Sequence, residues 1–179
     1  MDSLVIDKEL KEKNFHLAAK AVKIRFVLTD SDGVLTDTGV YYSSEGEVMK
    51  RFSIRDGMGV ERLRNILGIE TGIITGELSD SVLKRAEKLK IKYLYRGIKD
   101  KKSQLSDILK EHNLKKENIA YIGDDVNDLE LLYEVGLSAT PADGMVFIKN
   151  IAHYICENKG GNGAFREFAE LLIALNAED

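Results

Sequence analysis

Four stretches of the chain hold residues whose types and spacing allow joint chemistry: "FVLTDSDGVLTD" (26–37), "IITG" (73–76), Lys101, and "IGDDVND" (122–128). The first sets Asp30, Asp32 and Asp37 directly behind an apolar run, and the last sets Asp124, Asp125 and Asp128 behind another. Carboxylates arriving from different strand ends repel one another unless a cation lies between them, and hard oxygen ligands at this density suit Mg²⁺. Mg²⁺ usually binds through one or two carboxylates plus a substrate phosphate, so the expected substrate carries a phosphate. Lys101 and the Thr75 hydroxyl would supply a cation and a donor for its oxygens. Asp30, at a strand end, is placed to attack phosphorus and form an aspartyl-phosphate that water later hydrolyses. Asp32, two residues on, can protonate the leaving alkoxide and then take a proton from the attacking water. Gly33 permits the sharp turn that leaves room for the phosphate.

Such a site needs strands that end on one edge. Short apolar runs at 23–30, 70–76, 91–97, 118–125, 136–140 and 152–157 read as buried strands, each bounded by Gly, Asp or Asn. Helical spacing lies between them, with Leu63, Ile66 and Leu67 on one face and Leu105, Ile108 and Leu109 on another. Strands alternating with helices predict an α/β fold with a doubly wound, mostly parallel sheet, whose ligands bind beyond the carboxyl ends of the strands. The segment 39–54, "GVYYSSEGEVMKRFSI", breaks the alternation and reads as a β-hairpin inserted after the first strand. Residues 1–22 are either a helix packed on the edge or a mobile arm, and 23–179 form a single domain.

The four stretches, in this order and at these strand ends, resemble the four motifs of the haloacid dehalogenase superfamily of phosphatases. "FSIRDGMGVERL" and "KGGNGAFREFAELLI" (159–173) extend the likeness to the capless subgroup that contains the 3-deoxy-D-manno-octulosonate 8-phosphate phosphatases. The resemblance implies a Rossmann-like haloacid dehalogenase fold with no cap domain. By the same resemblance Asp30 is nucleophile and metal ligand, Asp32 is a general acid/base binding metal through its backbone carbonyl, and Asp124 is the third protein ligand. Thr75, Gly76 and Lys101 match phosphate-binding positions, while Asp125 and Asp128 would orient the metal's waters or Lys101. In that subgroup the hairpin joins a tetramer whose neighbouring subunit closes the active site, so a homotetramer through 39–54 is implied. Arg166, in the C-terminal "GGNGAFRE", would reach a neighbour's site.

The implied activity is Mg²⁺-dependent hydrolysis of the octulosonate 8-phosphate, on a pathway to a cell-surface sugar of the lipopolysaccharide kind. The subgroup often has arginine after "TG", whereas this chain has Glu77, which resembles the phosphatases of nine-carbon ulosonic acid 9-phosphates (2-keto-3-deoxynononate or N-acylneuraminate). The "RDGMG" segment, with Arg55, points back to the octulosonate enzymes. Glu77, Arg55 and Arg166 are therefore the specificity candidates, and Glu77 reads equally well as a loop residue or helix start. A different class, a non-catalytic tetramerisation module of a sugar-activating system, is opposed by the intact set of Asp30, Asp32, Thr75, Lys101 and Asp124.

Composition sets the outer limits. The 179 residues carry 26 Lys and Arg against 30 Asp and Glu, a net charge of -4, with acids and bases interspersed. No basic stripe suggests nucleic acid or a membrane surface, and no apolar run reaches the roughly 18 to 20 residues that span a bilayer. A small-molecule sugar phosphate is thus the expected partner. Cys156 is the only cysteine, which excludes an internal disulfide and agrees with a cytoplasmic protein. Asp37 reads as a turn residue. His16, His112 and His153 show no ligand spacing and read as structural, and Tyr41 and Tyr42 read as interface packing.

Overall fold

The computed structural model describes residues 7–177. Its frame is a six-stranded sheet of β1 (Phe26–Thr29), β4 (Glu70–Ile74), β5 (Tyr93–Tyr95), β6 (Ile119–Ile122), β7 (Leu137–Thr140) and β8 (Tyr154–Ile155). All pairs are parallel, in the order β5-β4-β1-β6-β7-β8. The chain builds outward from β1 to one side and then returns to its other side, so the order reverses between β1 and β6. Crevices beyond the carboxyl ends of strands at such a reversal are where open α/β sheets bind ligands.

Both faces of the sheet are covered, as its continuous apolar strands require. Val27, Ile73, Ala120 and Ile122 point to one face, packed with α2 (Ala18–Ala21), α3 (Ile54–Arg62), α4 (Asp80–Leu89) and the long α8 (Ala164–Asn176). Phe26, Leu28, Ile119 and Tyr121 point to the other, packed with α5 (Lys101–Glu111), α6 (Leu129–Glu134) and α7 (Val146–Lys149). Among residues 1–22, the described part is helical: α1 (Lys8–Lys13), a 3-10 turn (Phe15–Leu17) and α2. Leu17 and Ala21 are buried, Lys11 Nζ donates to the Ala177 carbonyl, and Asn176 Nδ2 donates to that of Ala21. This segment packs on α8.

The hairpin is present but shifted. β2 (Thr36–Ser43) and β3 (Gly46–Phe52) pair antiparallel, so the ribbon begins before residue 39 and stops short of 53–54. The end moves because Ser53 caps α3, its hydroxyl accepting the Arg55 and Asp56 amides. Among the described residues no cap domain is present; the ribbon is the one insertion after β1.

Asp56, in the "RDGMG" segment, has a structural task. It is buried, and its two oxygens accept the Gly163 amide (3.2 Å) and the Arg166 amide (2.9 Å), closing the N-terminus of α8 from a neighbouring helix. Asp56→Ala strands both amides, so urea unfolding is expected to show a loss of roughly 1–3 kcal/mol, and Asp56→Asn, which keeps one acceptor, a smaller one.

Candidate active site

The register of β1 against β6 builds the site. Thr29 is opposite Ile122, so Asp30 and the Gly123-Asp124 turn leave adjacent strands together, and the Asp30 amide still donates to the Ile122 carbonyl. Gly33 has φ +94° and lies so near Asp124 that a Cβ there would stand 2.0 Å from Oδ2. Only glycine allows this approach. The turn is braced from the far end of the chain: a Cβ on Gly160 would meet the Gly33 carbonyl at 1.8 Å, and the Gly161 amide donates to the Val34 carbonyl.

Lys101 enters from the first turn of α5, which Asp100 caps. Its buried ammonium lies 3.0 Å from Asp30 Oδ1 and 2.6 Å from Asp128 Oδ1. Asp128 is fully committed. Oδ1 accepts from Lys101 and from the Tyr121 hydroxyl (2.5 Å), while Oδ2 accepts the Asp124 amide (2.8 Å) and the Asp125 amide (3.3 Å). Thr75 directly follows β4, its hydroxyl accepting the Glu77 amide, and Gly76 comes next beside the Ile98 carbonyl. Asp125 turns outward and caps the next turn through the Val126 amide. The structure therefore brings Asp30, Lys101 and Asp128 into direct contact, sets the Asp124 carboxylate beside them, and leaves the Asp125 carboxylate outside that cluster.

Ligand oxygens of Asp30, Asp124 and Asp128 come within 4.8 Å of one another. Three carboxylates, two of them buried and one partly buried, share one ammonium, and the acidities of Asp30 and Asp124 show the imbalance. Burial, then repulsion from Asp128, pushes Asp30 up to about 7 despite Lys101. Burial, then Asp30 and Asp128, pushes Asp124 up to about 8. Burial works against the Lys101 ammonium, but Asp30 and Asp128 outweigh it and hold it above the usual lysine value. A hard divalent cation fits this donor set, and because Asp128 is already saturated, Asp30 and Asp124 are the oxygens with capacity to spare.

A profile of the haloacid dehalogenase-like hydrolases matches residues 84–168. The 3-deoxy-D-manno-octulosonate 8-phosphate phosphatase of Escherichia coli strain K12 is 40% identical over 155 residues, covering 87% of this chain and 82% of its own. The chain belongs to the haloacid dehalogenase-like hydrolases. A crystal structure of the octulosonate phosphatase from Moraxella catarrhalis, in complex with a magnesium ion, a phosphate ion and a KDO molecule, matches with a TM-score of 0.85 at 36% identity, covering 89% of this chain and 91% of that one. The cobalt-bound form of the Haemophilus influenzae phosphatase matches with a TM-score of 0.84 at 35% identity, covering 87% and 91%.

The specificity candidates of this hydrolase fall elsewhere. Arg55 and Arg166 line a cleft of about 570 Å³ between α1 and the start of α8, with none of the acidic cluster in its walls, and Arg166 is held by Glu170 at 2.6 Å. Glu77 is exposed in a second cleft of about 330 Å³ with Tyr42, Glu47 and Ser79. Asp37 lies within β2 and not in a turn; its carboxylate accepts the Gly39 amide and pairs with Arg51 at 2.6 Å. Two participants lie outside the sequence reading. Tyr121 joins Asp128 and Lys101 through its hydroxyl, a polar tip on an otherwise apolar strand being the one signal for it. Lys50 of β3 pairs with Asp32 at 2.8 Å; its inward position in a mostly exposed ribbon follows only from the strand register.

In the metal-free protein Asp30 and Asp124 titrate above the 3.8 of an unhindered aspartate, so between those values the folded chain binds more protons than the unfolded one. Their contribution to stability is thus lost as pH rises from about 4 to about 8. Calorimetry is expected to show a melting temperature that falls over the upper part of this window without metal, and a flatter profile with Mg²⁺ present.

Proposed function

We propose that the protein is a Mg²⁺-dependent phosphoric monoester hydrolase that converts 3-deoxy-D-manno-octulosonate 8-phosphate to 3-deoxy-D-manno-octulosonate and phosphate. The observation that carries this reading is the buried Asp30–Lys101–Asp128 set beside Asp124 at the sheet's reversal point, in a chain 36–40% identical to octulosonate phosphatases over most of its length. The pathway is one to a lipopolysaccharide-type sugar, and the setting is the cytoplasm; among the described residues no helix is long and apolar enough to cross a membrane.

Asp30, Asp124 and the Asp32 carbonyl would hold Mg²⁺, which supplies positive charge against the phosphate oxygens and the carboxylates. The Asp30 carboxylate attacks phosphorus, and the bond to the sugar oxygen breaks as Asp32 donates a proton to the departing alkoxide. Water then attacks phosphorus, Asp32 takes its proton, and the bond to Asp30 breaks. Lys101 and the Thr75 hydroxyl, with the Gly76 backbone, bind the phosphate oxygens that carry developing charge. Lys101 also fixes the attacking carboxylate, and Asp128 with Tyr121 fixes Lys101.

The hairpin supports a homotetramer. Tyr41 stands opposite Met49 in the register, and both are exposed together with Tyr42 and Val48. Apolar side chains gathered on one small ribbon are what a partner surface covers. A second substrate reading, a nine-carbon ulosonic acid 9-phosphate, is favoured by Glu77 in the cleft beside this ribbon.

Asp30→Asn is expected to reduce phosphate release roughly 10³-fold or more while preserving the fold, and omission of Mg²⁺ to abolish it; a metal-indifferent, inert protein would favour a non-catalytic module. A competition assay of eight-carbon against nine-carbon substrates is expected to favour the octulosonate, and equal turnover of generic sugar phosphates would refute the ulosonate assignment. Tyr41→Asp is expected to shift the sedimentation mass from tetramer toward smaller species.

A further inference from the structure

We propose that Lys50, carried on the hairpin, is a positioning residue for proton transfer to the leaving group, acting by holding the Asp32 carboxylate. This rests on the phosphatase reading above. Lys50 Nζ lies 2.8 Å from Asp32 Oδ1 and 2.9 Å from Oδ2, so a single ammonium engages both oxygens. The lysine side chain is only 2% exposed, whereas that of Asp32 is 28% exposed. The ammonium is thus enclosed by protein while part of the carboxylate stays exposed. The other hold on the Asp32 side chain is the Thr36 hydroxyl at 3.4 Å, a long contact.

The pair continues beyond Asp32. Lys50 Nζ is 3.5 Å from Glu47 Oε2, and Glu47 Oε1 accepts the Ser79 hydroxyl at 2.5 Å. Ser79 caps α4, the helix that follows the Thr75-Gly76 loop. A line of polar contacts therefore runs from the acid/base side chain through the hairpin to the helix behind the phosphate-binding loop. A buried ammonium is costly unless its partners are fixed, and apolar residues often fill such a place at no loss of stability. Lys50 is here matched to the one carboxylate that must face a leaving group from a constant angle. A side chain held through both oxygens enters the reaction with less rotational freedom to lose.

The role separates from simple bracing through the leaving group. A sugar alkoxide needs a proton as it departs, whereas a nitrophenolate is stable without one. The quantity kcat/KM covers the steps up to leaving-group departure, so its ratio between an alkyl and an aryl phosphate reports on proton donation. Lys50→Met is expected to lower the ratio of kcat/KM for 3-deoxy-D-manno-octulosonate 8-phosphate over p-nitrophenyl phosphate by about tenfold or more, with Lys50→Arg recovering part of it. Equal losses on both substrates, or no loss on either, would overturn the assignment. Should Lys50→Met fail to fold by circular dichroism, Glu47→Gln, which loosens the lysine without removing it, must lower the same ratio, and an unchanged ratio there is equally decisive against it. Wild-type inactivity on the octulosonate would refute the substrate reading alone, since the ratio can be taken with any alkyl phosphate the enzyme turns over.

Discussion

The repulsion among Asp30, Asp124 and Asp128 is the constraint to which the rest of the site answers. One buried lysine faces three carboxylates, and the surplus charge shows in the raised acidities of Asp30 and Asp124. Asp128 relieves part of the strain by giving every oxygen lone pair it can to Lys101, Tyr121 and two backbone amides. That leaves Asp30 and Asp124 as the oxygens that still need a cation. The fold thus stores an electrostatic deficit at one place, and a divalent ion with a phosphate is the chemistry that resolves it.

Holding such a cluster together takes rigid supports that do not share a single element. Asp30 comes from β1, Asp124 and Asp128 from the turn after β6, and Lys101 from the start of α5. Parallel pairing of β1 with β6 fixes the first two to within one residue of register, because a slip by one would turn Asp30 into the opposite layer. The glycine at 33 then lets the turn after β1 touch Asp124 without a side chain between them. The hairpin adds a fourth support through Lys50, so the element that presents apolar side chains outward also reaches inward to the Asp32 carboxylate.

The frame and the acidic cluster were legible in the sequence because both are local. Strand cores such as "FVLT" and "IAYI" declare themselves by continuous apolar residues, and the aspartates follow each at once. Hairpin ends were displaced because Ser53 reads as a strand residue until its capping of α3 is seen. Lys50 and Tyr121 are not legible in the sequence for a physical reason: their partners lie 18 and 7 residues away, and nothing in their own neighbourhoods marks the side chain as inward. The same holds for Asp56, whose segment suggested substrate contact and which instead closes a helix more than a hundred residues further on.

The contact of Gly160 and Gly161 with the turn at 33–36 sets an order in time as well as in space. The turn at 33–36 leaves the ribosome more than a hundred residues before the glycine pair that braces it. A nascent chain can pair β1 with β4 long before residues 160–161 exist, yet its first turn then has no floor to rest on. A growing polypeptide that already has Asp30, Lys101 and Asp124 therefore still lacks the glycine pair on which the turn at 33–36 rests.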